Sequence, residues 1–303
     1  MKLYRRTSRF LSYSGGADDP MSTTVSTDGE PIGRLIYRQN RWTRGTHWIW
    51  AACLFFLLLS GLQIFNAHPK LYIGKESGFA YDNAILSIGA VNSETGPKGV
   101  TKVFGAEFDT TGLFGVSGPV DNRQFRAFPA AMTIPSYYDL GTARVVHFFF
   151  AWLLVGTLLV WALAGFINGH IRRDLALTRA DLKSLPQDIK DHARLRFHHT
   201  GRYNVLQKFA YGGVLFALFP AIIITGLAMS PSVNAMVPFL NDLLGGRQTA
   251  RTIHFAAMFL LVGFFVIHML MILAAGPLNE LRSIITGWYR IDPETSDKEN
   301  HHG

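Results

Sequence analysis

Residues 251–279 read RTIHFAAMFLLVGFFVIHMLMILAAGPLN, and from Thr252 to Asn279 the stretch holds no Asp, Glu, Lys or Arg. About 20 helical residues at about 1.5 Å each cross the ~30 Å hydrocarbon core of a bilayer, so this run is long enough to span one. Three more uncharged windows lie upstream: Gly45 to Ala67, Val145 to Ile171 and Phe209 to Asn241. The expected fold is all-α, an integral membrane four-helix bundle with spans at about 45–67, 142–168, 206–230 and 250–276. The 303-residue chain is 49% apolar and 17% charged, and the apolar residues gather in those four blocks instead of spreading around a soluble core.

The rest of the composition excludes several classes. A lone cysteine, Cys53, leaves no internal disulfide, no Cys-based zinc site, no iron–sulfur cluster and no thioether-linked haem. The formal charge of +8 comes from basic residues that flank the spans without forming a long run, which suits lipid headgroups and not nucleic acid. Eight Lys and Arg precede Gly45, eight lie in 169–203 and three follow Asn279, whereas 231–249 has only Arg247 and 66–139 sets six bases against seven acids. By the positive-inside rule both termini are expected in the cytoplasm and the 66–139 connection in the periplasm, in a bacterial inner membrane. Residues 1–33 read as a cytoplasmic tail, 34–290 as the membrane domain and 291–303 as a second cytoplasmic tail. Arg5-Arg6-Thr7-Ser8-Arg9-Phe10-Leu11 has the look of a twin-arginine signal, but no apolar stretch follows it, and Met21 is open as an alternative start. The connection itself carries nine glycines and ten aromatics in 74 residues, so a folded periplasmic insert is expected over 68–139.

Ligating side chains inside spans point to function. Four histidines lie there: His47 early in span 1, His147 early in span 2, and His254 and His268 in span 4. His254 and His268 are fourteen residues apart, which at about 100° per residue places them on one helix face and about 21 Å apart along the axis. Matching depths pairs His147 with His254 on the outer side and His47 with His268 on the inner side, and each pair is what a six-coordinate b-type haem requires. Any one of these histidines alone reads as a hydrogen-bonded interior residue; four at paired depths do not. Metal transport or a proton relay is the other functional reading, and against it the windows contain no Asp or Glu.

Arg44, Arg144 and Arg251 each precede a proposed ligand by three residues, which puts a guanidinium one turn nearer water as a partner for a haem propionate; interfacial snorkelling explains the same placement. Gly61 follows His47 by fourteen residues, and Gly212 and Gly226 are fourteen apart, so missing side chains recur at the two haem depths. They leave room for a porphyrin face or for a plain helix–helix contact. Asn204, Gln207 and Lys208 place donors at the cytoplasmic start of span 3, level with the inner pair, where interfacial anchoring is the alternative.

These residues resemble the four-helix cytochrome b subunits of the bacterial cytochrome b561, nickel-hydrogenase and formate-dehydrogenase group. The likeness covers residues 35–290 and rests on the histidine set, on Tyr203-Asn204-x-x-Gln207-Lys208 and on Gly226-Leu227-Ala228-Met229-Ser230-Pro231. Phe65-Asn66-Ala67-His68-Pro69 and Gly245 through His254 look like the branch that pairs with periplasmic molybdopterin oxidoreductases of sulfite-oxidase type, although the 74-residue insert departs from the shorter loops of hydrogenase relatives. The resemblance implies a membrane carrier with two non-covalent b haems, passing electrons between a periplasmic oxidoreductase and the quinone pool. On that reading Asn204 and Gln207 bond the quinone carbonyls, and Lys208 balances either a quinone anion or an inner-haem propionate. A metal-ion transporter and a haem-free anchor for a redox partner are the rival classes.

Overall fold

The computed structural model describes residues 34–78, 81–94, 96–169, 171, 181, 183–186, 190 and 205–291. The expected tail 1–33, residues 292–303 and Asn204 lie outside the described residues. Among the described residues two compact units are present, one within Arg41–Pro277 and one that takes in residues 34–40 and 278–291.

The larger unit is built on four long apolar helices: α1 (Arg41–Asn66), α2 (Leu140–Ile167), α3 (Val205–Met229) and α6 (Arg247–Ala275). The helices pack as two pairs, α1 on α2 and α3 on α6. Cys53, Leu154, Val214, Phe219 and Leu261 fill the middle of the bundle. Phe149, Trp152, Leu163 and Phe166 of α2 and Phe259, Phe265, Ile267 and Leu270 of α6 face outward. Such a surface would be a liability in water and is the normal one in lipid, where each helix satisfies its own backbone.

Two local departures from a plain bundle have readable causes. Within α3 the turn Val214–Leu218 is a π-helix, and the Phe219 N–H reaches back to the Val214 carbonyl. Pro220 follows directly; it lacks an N–H and its ring crowds the carbonyl four residues back, and the wider turn relieves both. At Ser230 the chain turns extended, as expected of a residue before a proline, and two short helices, α4 (Pro231–Met236) and α5 (Phe239–Leu243), lead on toward α6.

Between α1 and α2 lies the insert, a four-stranded antiparallel sheet in the order β2 (Lys70–Leu71), β3 (Leu86–Ser93), β4 (Gly96–Val103), β5 (Ala106–Asp109). Hairpin registers run from Leu86↔Val103 to Ser93↔Gly96 and from Val100↔Asp109 to Val103↔Ala106. Gly115 shows why the insert is rich in glycine: at φ 78°, a Cβ there would stand 2.1 Å from the Gly89 carbonyl oxygen. Leu71, Ile88, Ala127 and Phe128 of the insert share one buried cluster with Leu62 and Phe65 of α1, and Phe255 and Met258 of α6 pack on it. The insert is thus continuous with the bundle's core and adds a sheet to a unit that is otherwise helical among the described residues.

In the smaller unit β1 (Arg34–Tyr37) pairs antiparallel with β6 (Trp288–Ile291), preceded by α7 (Pro277–Thr286). Tyr37 meets Trp288 edge to face at 5.3 Å, and Arg38 lies 4.7 Å over the Tyr289 ring.

Candidate functional site

His147 sits in the second turn of α2, where the Asp139 carboxylate caps the helix by accepting from the Thr142 N–H at 3.0 Å. Its Nδ1 is 3.1 Å from the Ser60 hydroxyl of α1, and that hydroxyl donates to the Phe56 carbonyl at 2.6 Å. Next along α1 is Gly61, where a Cβ would come within 3.3 Å of His147 Cε1. The second helix pair repeats the construction. His254 Nδ1 is 3.1 Å from the Thr225 hydroxyl of α3, which donates to the Ala221 carbonyl at 2.6 Å. A Cβ on Gly226 would likewise lie 3.3 Å from His254 Cε1. Ser60-Gly61-Leu62 and Thr225-Gly226-Leu227 are equivalent pieces, as are Arg144-x-x-His147 and Arg251-x-x-His254.

The two pairs bring the two imidazoles opposite each other, with ring centres 6.4 Å apart and planes inclined at 55°. A metal at about 2 Å from one nitrogen of each imidazole separates the ring centres by about 6.3 Å, so the gap fits a bis-histidine haem iron. Among the described residues no three His, Cys, Asp or Glu side chains converge as a metal site. Donors that come in twos suit a cofactor that supplies its own four equatorial nitrogens.

Toward the other end of the bundle, His47 and His268 are close enough to interact electrostatically. His47 Nδ1 is buried without a hydrogen-bond partner, and its ring stands edge-on to Trp48 at 5.3 Å. The His268 ring stacks on Phe264 at 5.8 Å and 13°. A buried, unsatisfied ring nitrogen is costly by itself and fits a site shaped around a further group.

The remaining expected residues divide. Arg251 donates to the His68 carbonyl and lies 5.6 Å over the Phe65 ring, so it ties α6 to the start of the insert. Arg144 is exposed and Arg44 half-buried. Gly61 and Gly226 make room for imidazoles, while a Cβ on Gly212 would meet nothing within 4 Å. Gln207 and Lys208 are half-buried in the first turn of α3, and Lys208 Nζ pairs with the Asp181 carboxylate at 3.3 Å.

Sequence reasoning missed Ser60 and Thr225, for which the repeated hydroxyl-Gly-Leu tripeptide was the available signal. It also missed a half-buried polar clasp at the insert end. Arg126 donates to Gln63 Oε1, to the Thr133 hydroxyl at 3.0 Å and to the Ser136 carbonyl at 2.6 Å, and Gln63 Nε2 donates to the Tyr137 carbonyl at 2.9 Å. Thr252 of α6 donates to the Tyr72 carbonyl at 2.7 Å, and the Gly74 N–H donates to Thr249 at 2.7 Å.

Comparison with known proteins gives two matches. Residues 179–287, which take in α3 and α6, match the family model for prokaryotic cytochrome b561. The chain is also 25% identical over 237 residues to a protein of Azospira oryzae provisionally named protein-methionine-sulfoxide reductase subunit YedZ1, covering 76% of this chain and 87% of that protein. No solved structure matches it. With four membrane-length helices and histidines facing one another between them, the chain is a multi-pass membrane protein that resembles, over residues 179–287, the prokaryotic cytochrome b561 family, a class of electron-transfer subunits built on b-type haem.

Proposed function

We propose that the chain carries two non-covalent b haems and passes electrons between the membrane quinone pool and an oxidoreductase docked on the insert. The observation that carries this reading is the 6.4 Å separation of the His147 and His254 rings. His147 and His254 hold the haem nearer the insert, and His47 and His268 the one nearer the opposite rim. Bound haem supplies reversible one-electron chemistry; the protein's part is to hold each iron between two imidazoles, exclude water and set the potential.

The distribution of Lys and Arg supports an inner-membrane orientation with both termini cytoplasmic and the insert periplasmic. The insert then offers the docking surface, and its exposed aromatics, Phe104 at the β4–β5 turn and Phe108 in β5 among them, are the kind that anchor a partner. The Azospira relative is named as a subunit of a reductase, which supports a periplasmic oxidoreductase partner, molybdopterin-dependent on the likeness to that branch, and electron flow from quinol outward. Gln207, at the opposite rim, serves a quinone carbonyl, and Asn204, three residues before it in sequence, is assigned to the other. Lys208, paired with Asp181, gives the site a charged edge.

The test is a reduced-minus-oxidised spectrum of the purified protein with acid–acetone extraction. Two extractable b haems per chain are expected. Haem retained on the polypeptide, or none at all, overturns the reading and leaves the anchor or the transporter.

A further inference from the structure

We infer that Ser60 and Thr225 are positioning residues for the two outer ligands, each fixing the tautomer and plane of the imidazole that faces it from the neighbouring helix. The inference rests on the haem reading above and adds residues to it. A serine or threonine hydroxyl has one hydrogen and two lone pairs. At Ser60 that hydrogen is committed to the Phe56 carbonyl at 2.6 Å, so toward His147 Nδ1, at 3.1 Å, the oxygen can only accept. Nδ1 must then carry the proton, which leaves the lone pair of His147 on Nε2. Thr225 makes the same commitment to the Ala221 carbonyl at 2.6 Å and accepts from His254 Nδ1 at 3.1 Å.

A back-bonded hydroxyl in an apolar helix is common and does not by itself imply a function. What separates these two is that both turn the remaining lone pair onto a histidine of the paired helix, both precede a glycine that the imidazole edge packs against, and the two histidines so held face each other. A metal-ligating histidine is normally oriented by an acceptor on its other ring nitrogen, and that acceptor makes the ligand more electron-rich. Here the acceptor comes in duplicate, one from each helix pair.

The experiment compares Ser60→Ala, Thr225→Val and the double variant with Ser60→Thr and Thr225→Ser in the full-length, haem-loaded protein. The readouts are the highest g value in the EPR spectrum of the oxidised protein and the reduced-to-oxidised ratio of each spectral component at fixed ambient potential. Loss of an acceptor favours the ferrous state, so each hydroxyl deletion is expected to raise that ratio for the outer component roughly fivefold, the scale of one net hydrogen bond. The inner component should not move, and the two hydroxyl-retaining variants should behave as wild type. If Ser60→Ala or Thr225→Val loses the haem altogether, retention by the hydroxyl-retaining partner supports the inference and loss in both overturns it. His147→Ala and His254→Ala separate the two levels of failure. If those variants remove one component while the hydroxyl deletions change neither readout, the positioning role alone falls; if they remove nothing, the haem reading falls and takes the inference with it.

Discussion

The Asn66 side chain grips the backbone of Phe128 at both polar groups, accepting from its N–H at 2.8 Å and donating to its carbonyl at 3.2 Å. Asn66 is the last residue of α1, and Phe128 lies in the buried cluster that joins the insert to the bundle. One side chain therefore satisfies two peptide groups that no water reaches. Asn66→Leu leaves both unpaired, at about 1–3 kcal/mol each. The expected result is a lower unfolding temperature in detergent, with faster proteolysis confined to residues 68–139. An unchanged digestion pattern would show that the grip is dispensable.

The three glycines that the fourteen-residue interval groups together should behave differently. Gly61→Ala and Gly226→Ala put a methyl 3.3 Å from the Cε1 of His147 and His254, closer than ordinary contact, so each imidazole must shift. Both variants should disturb the outer haem spectrum alone. Gly212→Ala meets nothing within 4 Å and should leave both components intact. Equal effects at all three positions would mean that the glycines serve the porphyrin or the helix contact instead of the ligand.

Histidine substitutions test the pairing itself. His147→Ala and His254→Ala should each abolish one spectral component, the same one, and His47→Ala and His268→Ala the other. A pattern that couples His47 with His254 would contradict the separation of the two sites along the bundle.

The spans were legible because charge is excluded from lipid, and an uncharged run of 28 residues such as Thr252–Asn279 is longer than a helix buried in a soluble core needs to be. The fourteen-residue interval between His254 and His268 was legible because helix geometry alone places them on one face. The π turn was not read, although Pro220 marked its place. The insert reads as folded, with no secondary structure assigned from sequence: β3 and β4 carry glycines, and their alternation is weak beside the helical blocks. Ser60 and Thr225 escaped because a hydroxyl in an apolar helix ordinarily bonds its own backbone, as both of these do; only the fold shows the second partner. Asp181 was invisible as a partner of Lys208 because 27 residues separate them in sequence.

The cap of α2 gives a pH dependence. The Thr142 hydroxyl and N–H hold the Asp139 carboxyl below the usual carboxylate range. A depressed carboxylate pKa contributes stability that is complete above the unfolded value and is lost as pH falls through the folded one. Acidification below pH ~4 should therefore loosen the first turns of α2, which carry His147, before the rest of the bundle. In Asp139→Asn, which keeps an acceptor but cannot titrate, the outer haem spectrum should lose this acid sensitivity.

The quinone proposal can be tested at the one part of it the structure describes. Gln207→Leu should slow quinone-linked turnover of the inner haem, while an artificial donor still reduces the outer one. Lys208 needs a different design, because its ammonium already faces the Asp181 carboxylate at 3.3 Å, with the two side chains only 19% and 16% exposed. Removing either partner strands the other charge in a half-buried place, so Lys208→Met alone would confound a stability loss with a lost quinone contact. The double variant Lys208→Met with Asp181→Asn removes both charges and relieves that strain. If Lys208 acts only through Asp181, the double variant should recover stability and near-normal quinone kinetics. If it balances charge on a quinone or a propionate, stability should return while the kinetics stay slow, and the double-mutant cycle separates the two.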